Sequence, residues 1–396
     1  MGKVASENTL KQIMTCLTFL TAGGRDTIYS DPAKIARAIR SGTLESNRVL
    51  FPVGEQLVVP WRDMDDSAHN SAQSAYNAIF DIVDHRLVLT QDGQTRPAML
   101  LQMHAALPFA IQFSHAQAFY NVGETGLMTG TYRVRLGAGV SGQYVSGETI
   151  TFTLTQGVPA NGRLAMSPKN ADAYAISSYA PDASTAIETV SGMIGAQGEA
   201  IDLGVTNAGG LNTVNRMCAG SNRWDTSGAR AWLNAKGKNW YKATEQFDLA
   251  PVQAARYGFL SGFEDSFLRA IKPIRVSFVT GSGAEETFDR FFLPCLQELN
   301  VTPQSAVQEG TYFEYWRSMQ EADGYVGSGS GHSFDCFKIK DLADGGPRIL
   351  LLRSANLSND YALRRLLNNG YVSPSSGMAS YYADNAGYVA PVCAIC

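Results

Sequence analysis

Few side chains in this sequence stand at spacings that support redox chemistry, metal binding or nucleophilic catalysis. Cys393 and Cys396 form a C-x-x-C pair, the spacing found in disulfide oxidoreductases and in some zinc sites. In redox enzymes this pair opens a helix whose N-terminus stabilises a thiolate, and no helix follows it in this sequence. We therefore expect neither redox chemistry nor zinc there. Five of the six cysteines have mainly apolar or small neighbours, and we interpret the cysteines as reduced core residues.

The histidines do not suggest a metal centre either. Four of them fall in a strand-rich region without an H-x-x-x-H spacing, and we expect them to be exposed or hydrogen-bonded: His69, His85, His104 and His115. The fifth, His332, lies in a glycine-rich stretch four residues before Cys336, and it is the one candidate for a catalytic side chain. We interpret it as a loop histidine. The sequence thus predicts no catalytic residue, no metal and no cofactor, and a protein that is not an enzyme.

Composition favours a β-rich protein with a substantial core. The chain has 396 residues, of which 45% are apolar and only 17% charged, with 38 glycines. Its length suggests two or three domains. The formal net charge is −4 and no run of Lys or Arg exceeds two residues, so a nucleic-acid partner is not expected.

The N-terminal residues have helical spacing. Leu10, Ile13, Met14, Leu17 and Leu20 recur on one helical face, and Asp31-Pro32 offers an N-cap and a first-turn proline to a second helix that Gly42 would end. We predict a helical arm over residues 1–44, which either docks on another molecule or packs on its own domain. The apolar stretch 13–22 is too short and too rich in threonine to span a bilayer, so neither membrane insertion nor a signal peptide is expected.

Two further regions follow the arm. From Arg48 onward, runs of β-branched and aromatic residues alternate with turn signals such as Gln91-Asp92-Gly93, which predicts an antiparallel β-sandwich over residues 45–175. After a small, polar crossing, short helices and strands indicate an α+β domain over residues 200–396. In its first helix, Asp225 or Thr226 is the expected cap, and Trp232 and Leu233 are expected to point inward.

The polar tract 356–385 joins the last two predicted strands, 348–354 and 387–395. Between Ser354 and Tyr388, about half of the positions are Asn, Ser, Tyr or Asp. Tyrosine supplies stiff amphipathic contact area, while Ser and Asn supply adaptable hydrogen bonds, which is the mixture that paratopes use. We expect burial of the closing apolar strand to hold the far end of this tract in place.

Five sequence blocks in order carry a resemblance to a known family. They are NRWDTSGARAWLN, GFLSGF, FDRFFLP, LLRSA and the closing GYV with APVCAI. The chain from about residue 205 to 396 resembles a domain family of phages and gut prophages that has a C-type lectin-like fold of the formylglycine-generating-enzyme variety. It departs from the family at Leu351, where tryptophan is usual, and at Ala390, where arginine is usual. With the resemblance, the predicted fold is α+β and β-rich: N-terminal helices, a central antiparallel β-sandwich and a C-terminal C-type lectin-like domain.

The resemblance also implies a function. Phage proteins of this architecture resemble the targets of diversity-generating retroelements, in which mutagenesis directed at adenines rewrites codons near the end of the gene. It implies a virion protein that binds a host-cell surface protein or glycan, and that contacts other virion proteins through its N-terminal region. Because several weak sites on one particle bind with avidity, we also predict a homotrimer. The expected ligand-binding residues are Asn356, Ser358, Asn359, Asp360, Tyr361, Asn368, Asn369, Tyr371, Ser373, Ser375, Tyr381, Tyr382, Asp384, Asn385 and Tyr388.

Three other interpretations stay open at this point. The tract can be a long solvated loop, since its residue types favour turns in any protein. The formylglycine-generating namesake is an enzyme, but its chemistry, as the resemblance implies it, needs a reactive cysteine pair and a bound metal. The alternative function is a structural capsid decoration, head-fibre or tail protein without direct receptor binding.

Overall fold

The computed structural model describes most of the chain from residue 31 onward. Within several strands between 116 and 249, and at 332 and 380–382, the description covers the backbone alone. The described residues are 31–114, 116–121, 128–136, 149–154, 156–157, 159, 163–165, 173–175, 179–182, 202–203, 216–219, 222–242, 248–280, 283–301, 308–324, 332–343, 345–357, 362–372, 380–383 and 385–396. The predicted helix over Leu10–Leu20, with Cys16, lies outside them.

The described helices are short and the protein is rich in strands. The α-helices are α1 (Pro32–Ser41), α2 (Leu44–Leu50), α3 (Gly228–Leu233), α4 (Asp265–Ala270) and α5 (Glu314–Ala322). Two 3₁₀ turns occupy Phe259–Gly262 and Asp335–Phe337. Together with mainly antiparallel sheets, this makes a mixed, strand-rich protein, as predicted.

The strands are numbered in chain order. The first half contains β1 (Gln56–Trp61), β2 (Tyr76–Leu89), β3 (Thr95–Met103), β4 (Ile111–Gln112), β5 (Ala116–Asn121), β6 (Gly130–Leu136), β7 (Thr149–Leu154), β8 (Arg163–Ala165), β9 (Ala173–Ala175) and β10 (Tyr179–Asp182). The second half contains β11 (Asp202–Leu203), β12 (Arg216–Ala219), β13 (Asp248–Leu249), β14 (Ile274–Thr280), β15 (Gly283–Asp289), β16 (Phe291–Phe292), β17 (His332–Ser333), β18 (Leu350–Ala355), β19 (Ala362–Leu366), β20 (Tyr371–Val372), β21 (Ser380–Tyr382), β22 (Ala386–Gly387) and β23 (Val392–Ile395).

Helix α1 forms where the sequence predicts it. Its N-cap Asp31 accepts hydrogen bonds from the backbone of Ala33 and Lys34, and Gly42 follows its last residue. Ile35 and Ile39 are fully buried, and the helix packs on α4 and β3 of the same chain. Of the two alternatives given for the N-terminal arm, helix α1 therefore shows the second: it packs on its own protein.

The region after α1 differs from the prediction in one place. The sequence predicts that Val49 and Leu50 open a strand, but in the structure they end helix α2. Thr43 explains the difference, because its hydroxyl oxygen accepts from the backbone N–H of Ser46 while the Ser46 hydroxyl oxygen accepts from the backbone N–H of Thr43. This reciprocal cap stabilises the first turn, where propensity alone favours a strand.

One sheet joins distant parts of the chain. Its strand order is β1-β2-β3-β23-β16, so the strand Val392–Ile395 lies between β3 and β16 and pairs with both. The predicted Gln91-Asp92-Gly93 turn connects β2 to β3. Strands from the predicted central domain and the predicted C-terminal domain thus share a sheet. The domain boundary expected between 175 and 200 falls largely outside the described residues and stays a prediction.

The tract 356–385 is not one long loop, in contrast to what its polar composition predicts. Its described residues form β19, which lies between β18 and β21 in a three-stranded sheet, and β20, which pairs with β17. In β19, four of five residues are buried, and Arg365 is half-buried. The high Asn, Ser and Tyr content of the tract obscures this strand in the sequence, because its few apolar residues stand among polar neighbours.

Candidate ligand-binding surface and its polar framework

The fifteen predicted binding residues fall into three groups. Seven lie outside the described residues: Ser358, Asn359, Asp360, Tyr361, Ser373, Ser375 and Asp384. Tyr381 and Tyr382 are described by their backbone alone, in β21. The remaining six have described side chains: Asn356, Asn368, Asn369, Tyr371, Asn385 and Tyr388.

Asn356 is tied into the framework at the point where β18 ends. Its backbone N–H donates to the carbonyl of Ala362 at 2.9 Å, and its side-chain oxygen accepts from Arg364 at 3.2 Å. Its own carbonyl, like that of Ala362, accepts from the side-chain amide of Asn222. These contacts close the β18–β19 hairpin, so Asn356 positions the tract rather than presenting its amide to a ligand.

Residues 367–371 form a tight turn that carries exposed asparagines. Asn368 and Asn369 are exposed, and the Asn369 side chain accepts from the backbone N–H of Tyr371 at 3.0 Å. Gly370 has a φ of 77°, and a Cβ there would collide with the carbonyl of Phe334. Only glycine fits that combination of angle and neighbour. This turn therefore exposes two asparagine side chains of the tract to solvent.

Tyr388 is half-buried against the core at the other margin of the tract. Its backbone pairs with Ile349 and Leu351, and the guanidinium of Arg348 lies 4.8 Å from its ring centroid. Arg348 in turn forms an ion pair with Asp341. One face of the Tyr388 ring is therefore occupied by a cation of the same chain.

Beneath the hairpin, Arg353 forms a buried ion pair. It lies in β18, is 1% exposed, and its two terminal nitrogens donate to the carboxylate of Glu298 at 2.6 and 2.8 Å. The remaining donors reach three backbone carbonyls, those of Ser277, Leu293 and Glu309. All of its guanidinium nitrogens are used, which is the condition under which a buried charge is tolerated.

The next residue extends the network. The Ser354 hydroxyl donates to the Glu309 carboxylate at 2.5 Å and accepts from the backbone N–H of Leu296. Burial raises the pKa of Glu309, although the hydrogen bond from Ser354 opposes the shift. Cys295 is buried nearby, and burial raises the pKa of its thiol well above the usual value. Both polar residues of the LLRSA block therefore hold residues 293–298 and Glu309 against β18.

A second buried carboxylate links two other blocks. Asp289 of FDRFFLP accepts from the Trp224 indole at 2.9 Å and from Arg230 at 2.6 Å, both in NRWDTSGARAWLN. It also accepts from the Thr287 hydroxyl at 2.6 Å. The blocks that carry the family resemblance thus contact each other through polar side chains in the interior, and their role in the described structure is to build the framework.

The N-cap of helix α3 lies after both of the residues predicted for it. Its cap is Ser227, whose hydroxyl oxygen accepts from the backbone of Arg230 at 3.1 Å. The Asp225 carboxylate instead accepts hydrogen bonds from the Arg223 guanidinium. Thr226 does not cap the helix either. Trp232 and Leu233 point inward, as predicted.

The cysteines with described side chains are unpaired thiols. Cys295, Cys393 and Cys396 are buried, as expected for core residues. Cys336 is half-buried, and burial raises the pKa of its thiol to about 12, so it stays protonated at neutral pH. His332 pairs through its backbone with Val372. Within the part of the chain that the structure describes, no group of three or more His, Cys, Asp or Glu side chains is placed to hold a metal ion.

Three histidines have described partners, and His115 lies outside the described residues. His69 contacts Asp66 at 3.0 Å, His85 is buried with its ring bonded to the carbonyl of Phe51, and His104 donates to the buried carboxylate of Asp81 at 2.8 Å. These contacts agree with the prediction of hydrogen-bonded histidines. No helix in the described ranges is long and apolar enough to cross a bilayer.

We expect His104 to make stability depend on pH. The hydrogen bond to Asp81 raises the pKa of His104 above its usual value of 6.5. Because the folded state binds this proton more tightly than the unfolded state, the stabilisation is complete below pH 6.5 and is lost as pH rises through the folded-state pKa. Urea unfolding across this range should show His104→Gln to be less stable than the wild type at acidic pH, with a difference that disappears at alkaline pH. A difference independent of pH would contradict this.

The C-terminal half matches a known family model. Residues 204–395 match a family described as a domain of unknown function, DUF6273. The matched segment includes all five blocks, both buried networks and the tract. Comparison with curated proteins gave no match, and neither did comparison with solved structures.

Proposed function

We propose that this is a receptor-binding protein of a phage or prophage virion, which displays a diversified ligand-binding surface at the tract 356–385. The proposal rests on one observation: the strands that flank the tract, β18 and β23, are both buried in the framework. At one margin β18 is entirely buried and held through Arg353. At the other margin β23 is entirely buried between two strands of the five-stranded sheet.

Such clamping suits a surface whose side chains change while its fold persists. Within the tract, the buried residues of β19 keep the strand in place, whereas the turn at Asn368 and Asn369 faces solvent. A rigid scaffold reduces the entropy lost when displayed side chains bind a partner. Substitutions in the displayed positions would then alter the ligand with little effect on folding.

The finer architecture belongs to the same proposal. We take the C-terminal half to have a C-type lectin-like fold and the strands between 45 and 175 to form a β-sandwich for assembly. The ligand is a host-cell surface protein or glycan, and the N-terminal region contacts other virion proteins. In a homotrimer, several weak sites would bind together, and their avidity would exceed the affinity of a single site by about 10²–10⁴-fold.

Binding to host bacteria tests the proposal. The double variant Tyr381→Ala/Tyr382→Ala should lose most binding to whole host cells, because tyrosine contributes most of the contact area in such surfaces. The control is Val58→Ala/Val252→Ala, which removes two exposed apolar side chains outside the tract and should bind as the wild type does. Thermal unfolding of both variants checks that the fold is retained.

Equal binding by the tyrosine variant and the wild type would overturn receptor binding through the tract and favour a decoration, head-fibre or tail protein. The coding DNA gives an independent test. Diversification requires a near-copy of the sequence encoding the tract beside a reverse-transcriptase gene, differing from it only at adenines. A gene neighbourhood that lacks both would remove diversification from the proposal while leaving binding to be judged by the cell assay.

A further inference from the structure

One acidic side chain holds a short surface segment that precedes helix α5. Within residues 308–312, Glu309 alone is buried, whereas its neighbours on both sides are exposed or half-buried. Buried charged residues are uncommon, because an ionised carboxylate loses its hydration when it leaves water. A segment held by an apolar side chain is insensitive to pH, but a segment held by a carboxyl group depends on whether that group carries a proton.

Four hydrogen bonds tie this segment to the framework. The Ser354 hydroxyl donates to the Glu309 carboxyl group at 2.5 Å, and Arg353 donates to the Glu309 backbone carbonyl at 3.1 Å. The backbone N–H groups of Glu309 and Gly310 donate to the side-chain oxygen of Gln297 at 3.1 and 3.3 Å. We call this set of contacts the Glu309 anchor. Within the described residues, the carboxyl group itself is bonded to a neutral hydroxyl and not to a guanidinium.

Two acids and two arginines meet beneath the β18–β19 hairpin. The charged and titratable side chains that act on Glu309 are Arg353 of β18, Arg364 of β19, and Glu298 and Cys295 of the segment after β16. Arg353 gives both terminal nitrogens to the carboxylate of Glu298. Burial raises the pKa of Glu309, and the like charge of Glu298 adds to the shift, which the two arginines oppose but do not cancel. The Cys295 thiol is protonated because burial raises its pKa, so it adds no charge.

We propose that the Glu309 anchor is a pH-sensitive switch, which holds the segment while the carboxyl group carries a proton and releases it when the carboxyl group is ionised. On release the proton passes to water and the carboxylate becomes hydrated, which requires little movement because the neighbouring residues are already exposed or half-buried. Ser354 and Arg353 lose their bonds to Glu309, but Arg353 keeps its two bonds to Glu298. The change is therefore a local opening, and the framework stays folded.

The switch lies where β18 leads into the tract. Ser354 stands just before Ala355, the residue of β18 that pairs with Leu363 of β19. Release of Glu309 would remove one support from this margin of the tract. An effect of pH on ligand binding rests on the proposed function, whereas the opening itself can be measured without any ligand.

The direction of the pH effect follows from the raised pKa of Glu309. The closed state binds this proton more tightly than the open state, in which the carboxyl group is in water. The stabilisation is therefore complete below the usual pKa of 4.5, and it is lost as the pH rises through the closed-state pKa. Between these limits, the equilibrium constant for opening should rise about tenfold for each pH unit.

Hydrogen–deuterium exchange of the full chain, read by mass spectrometry on peptides that contain residues 308–312, measures the opening. Glu309→Gln has nearly the same shape and can still accept from Ser354, but it cannot ionise. The wild type and this variant should exchange equally below pH 4.5, and the wild type should exchange increasingly faster than the variant as the pH rises. Comparison at the same pH removes the intrinsic pH dependence of exchange. The control, Glu286→Gln, changes a half-exposed carboxylate and should follow the wild type at every pH.

Circular dichroism verifies that the variants fold. A ratio of wild-type to Glu309→Gln exchange that is independent of pH would overturn the proposal, and so would a variant that exchanges faster than the wild type at alkaline pH. If Glu309→Gln does not fold, Ser354→Ala decides the question. It removes a hydrogen bond that lowers the pKa of Glu309, so after correction for intrinsic exchange the pH range of increasing exchange should extend to higher pH. An unchanged range would equally overturn the proposal.

Discussion

Arg353→Met should lower the free energy of unfolding by about 3–5 kcal/mol, the cost of breaking a buried ion pair by removing one partner. The substitution leaves the Glu298 carboxylate without its cation in an environment where that residue is only 6% exposed. It also removes donors to three backbone carbonyls. The methionine side chain fills much of the volume, so the loss reports mainly on charge and hydrogen bonding. Urea-induced unfolding of the full chain measures it.

The matched control is Arg275→Met. Arg275 pairs with Glu286 at 3.4 Å between neighbouring strands, but both side chains are about half exposed. Exposed pairs contribute about 0–1 kcal/mol, so this variant should unfold close to the wild type. Similar losses in the two variants would show that the Arg353 pair is not the stabilising element inferred from the structure.

Replacing both partners separates two causes of the loss. In Arg353→Met/Glu298→Met the uncompensated charge disappears, so this double variant should be more stable than Arg353→Met alone. If the double variant is as unstable as the single one, the hydrogen bonds to the backbone carbonyls dominate instead. Either result identifies which interaction of Arg353 holds β18 against residues 293–298 and Glu309.

Asp289→Ala should cost about 3 kcal/mol of unfolding free energy, the second large effect. Its carboxylate is fully buried and accepts from Trp224, Arg230 and Thr287. Without it the Trp224 indole N–H, on a fully buried side chain, has no acceptor. The loss of the Arg230 ion pair contributes less to this cost, because 29% of the Arg230 side chain is exposed and water can replace the carboxylate.

Glu286→Ala is the control for Asp289, since it removes another carboxylate from the same strand, β15, at a half-exposed position. It should change the unfolding free energy by less than about 1 kcal/mol. Fluorescence of the tryptophans adds a local readout, because the loss of Asp289 changes the surroundings of the Trp224 indole. Equal stability of the two variants would contradict a framework role for Asp289.

Local signals in the sequence predicted local structure well. Asp31, Pro32 and Gly42 fixed the limits of α1, and the Gln91–Gly93 turn marked the β2–β3 hairpin. Each of these features depends on residues within a few positions of one another. Where two local signals competed, as at Thr43 and the apolar residues after it, the capping interaction decided the structure.

The buried networks were not predictable in the same way. An arginine within the apolar run RILLLRSA indicates that a buried partner exists, but it does not say which acid provides it. Glu298 and Glu309 lie 55 and 44 positions from Arg353. Similarly, Asp289 meets Arg230 across 59 positions. Only the three-dimensional pairing of strands brings such residues together, and the sequence has no local pattern for it.

For the candidate surface, the sequence located the segment but not the role of each residue. Counting Asn, Ser and Tyr selected Asn356 together with Asn368 and Asn369. The structure separates them, because Asn356 closes a hairpin while the other two are exposed. Residue type alone does not distinguish an asparagine held by the framework from one that is exposed at a turn.

The pairing of β3 with β23 has a kinetic consequence. Most of the described chain separates these two strands, so their part of the sheet cannot close until everything between them has been synthesised. Contacts of such large sequence separation slow folding, because loop-closure entropy is lost before the contacts form. Until then β3 has an unpaired edge that invites aggregation. The yield of folded protein should therefore respond to chaperones and to lower growth temperature.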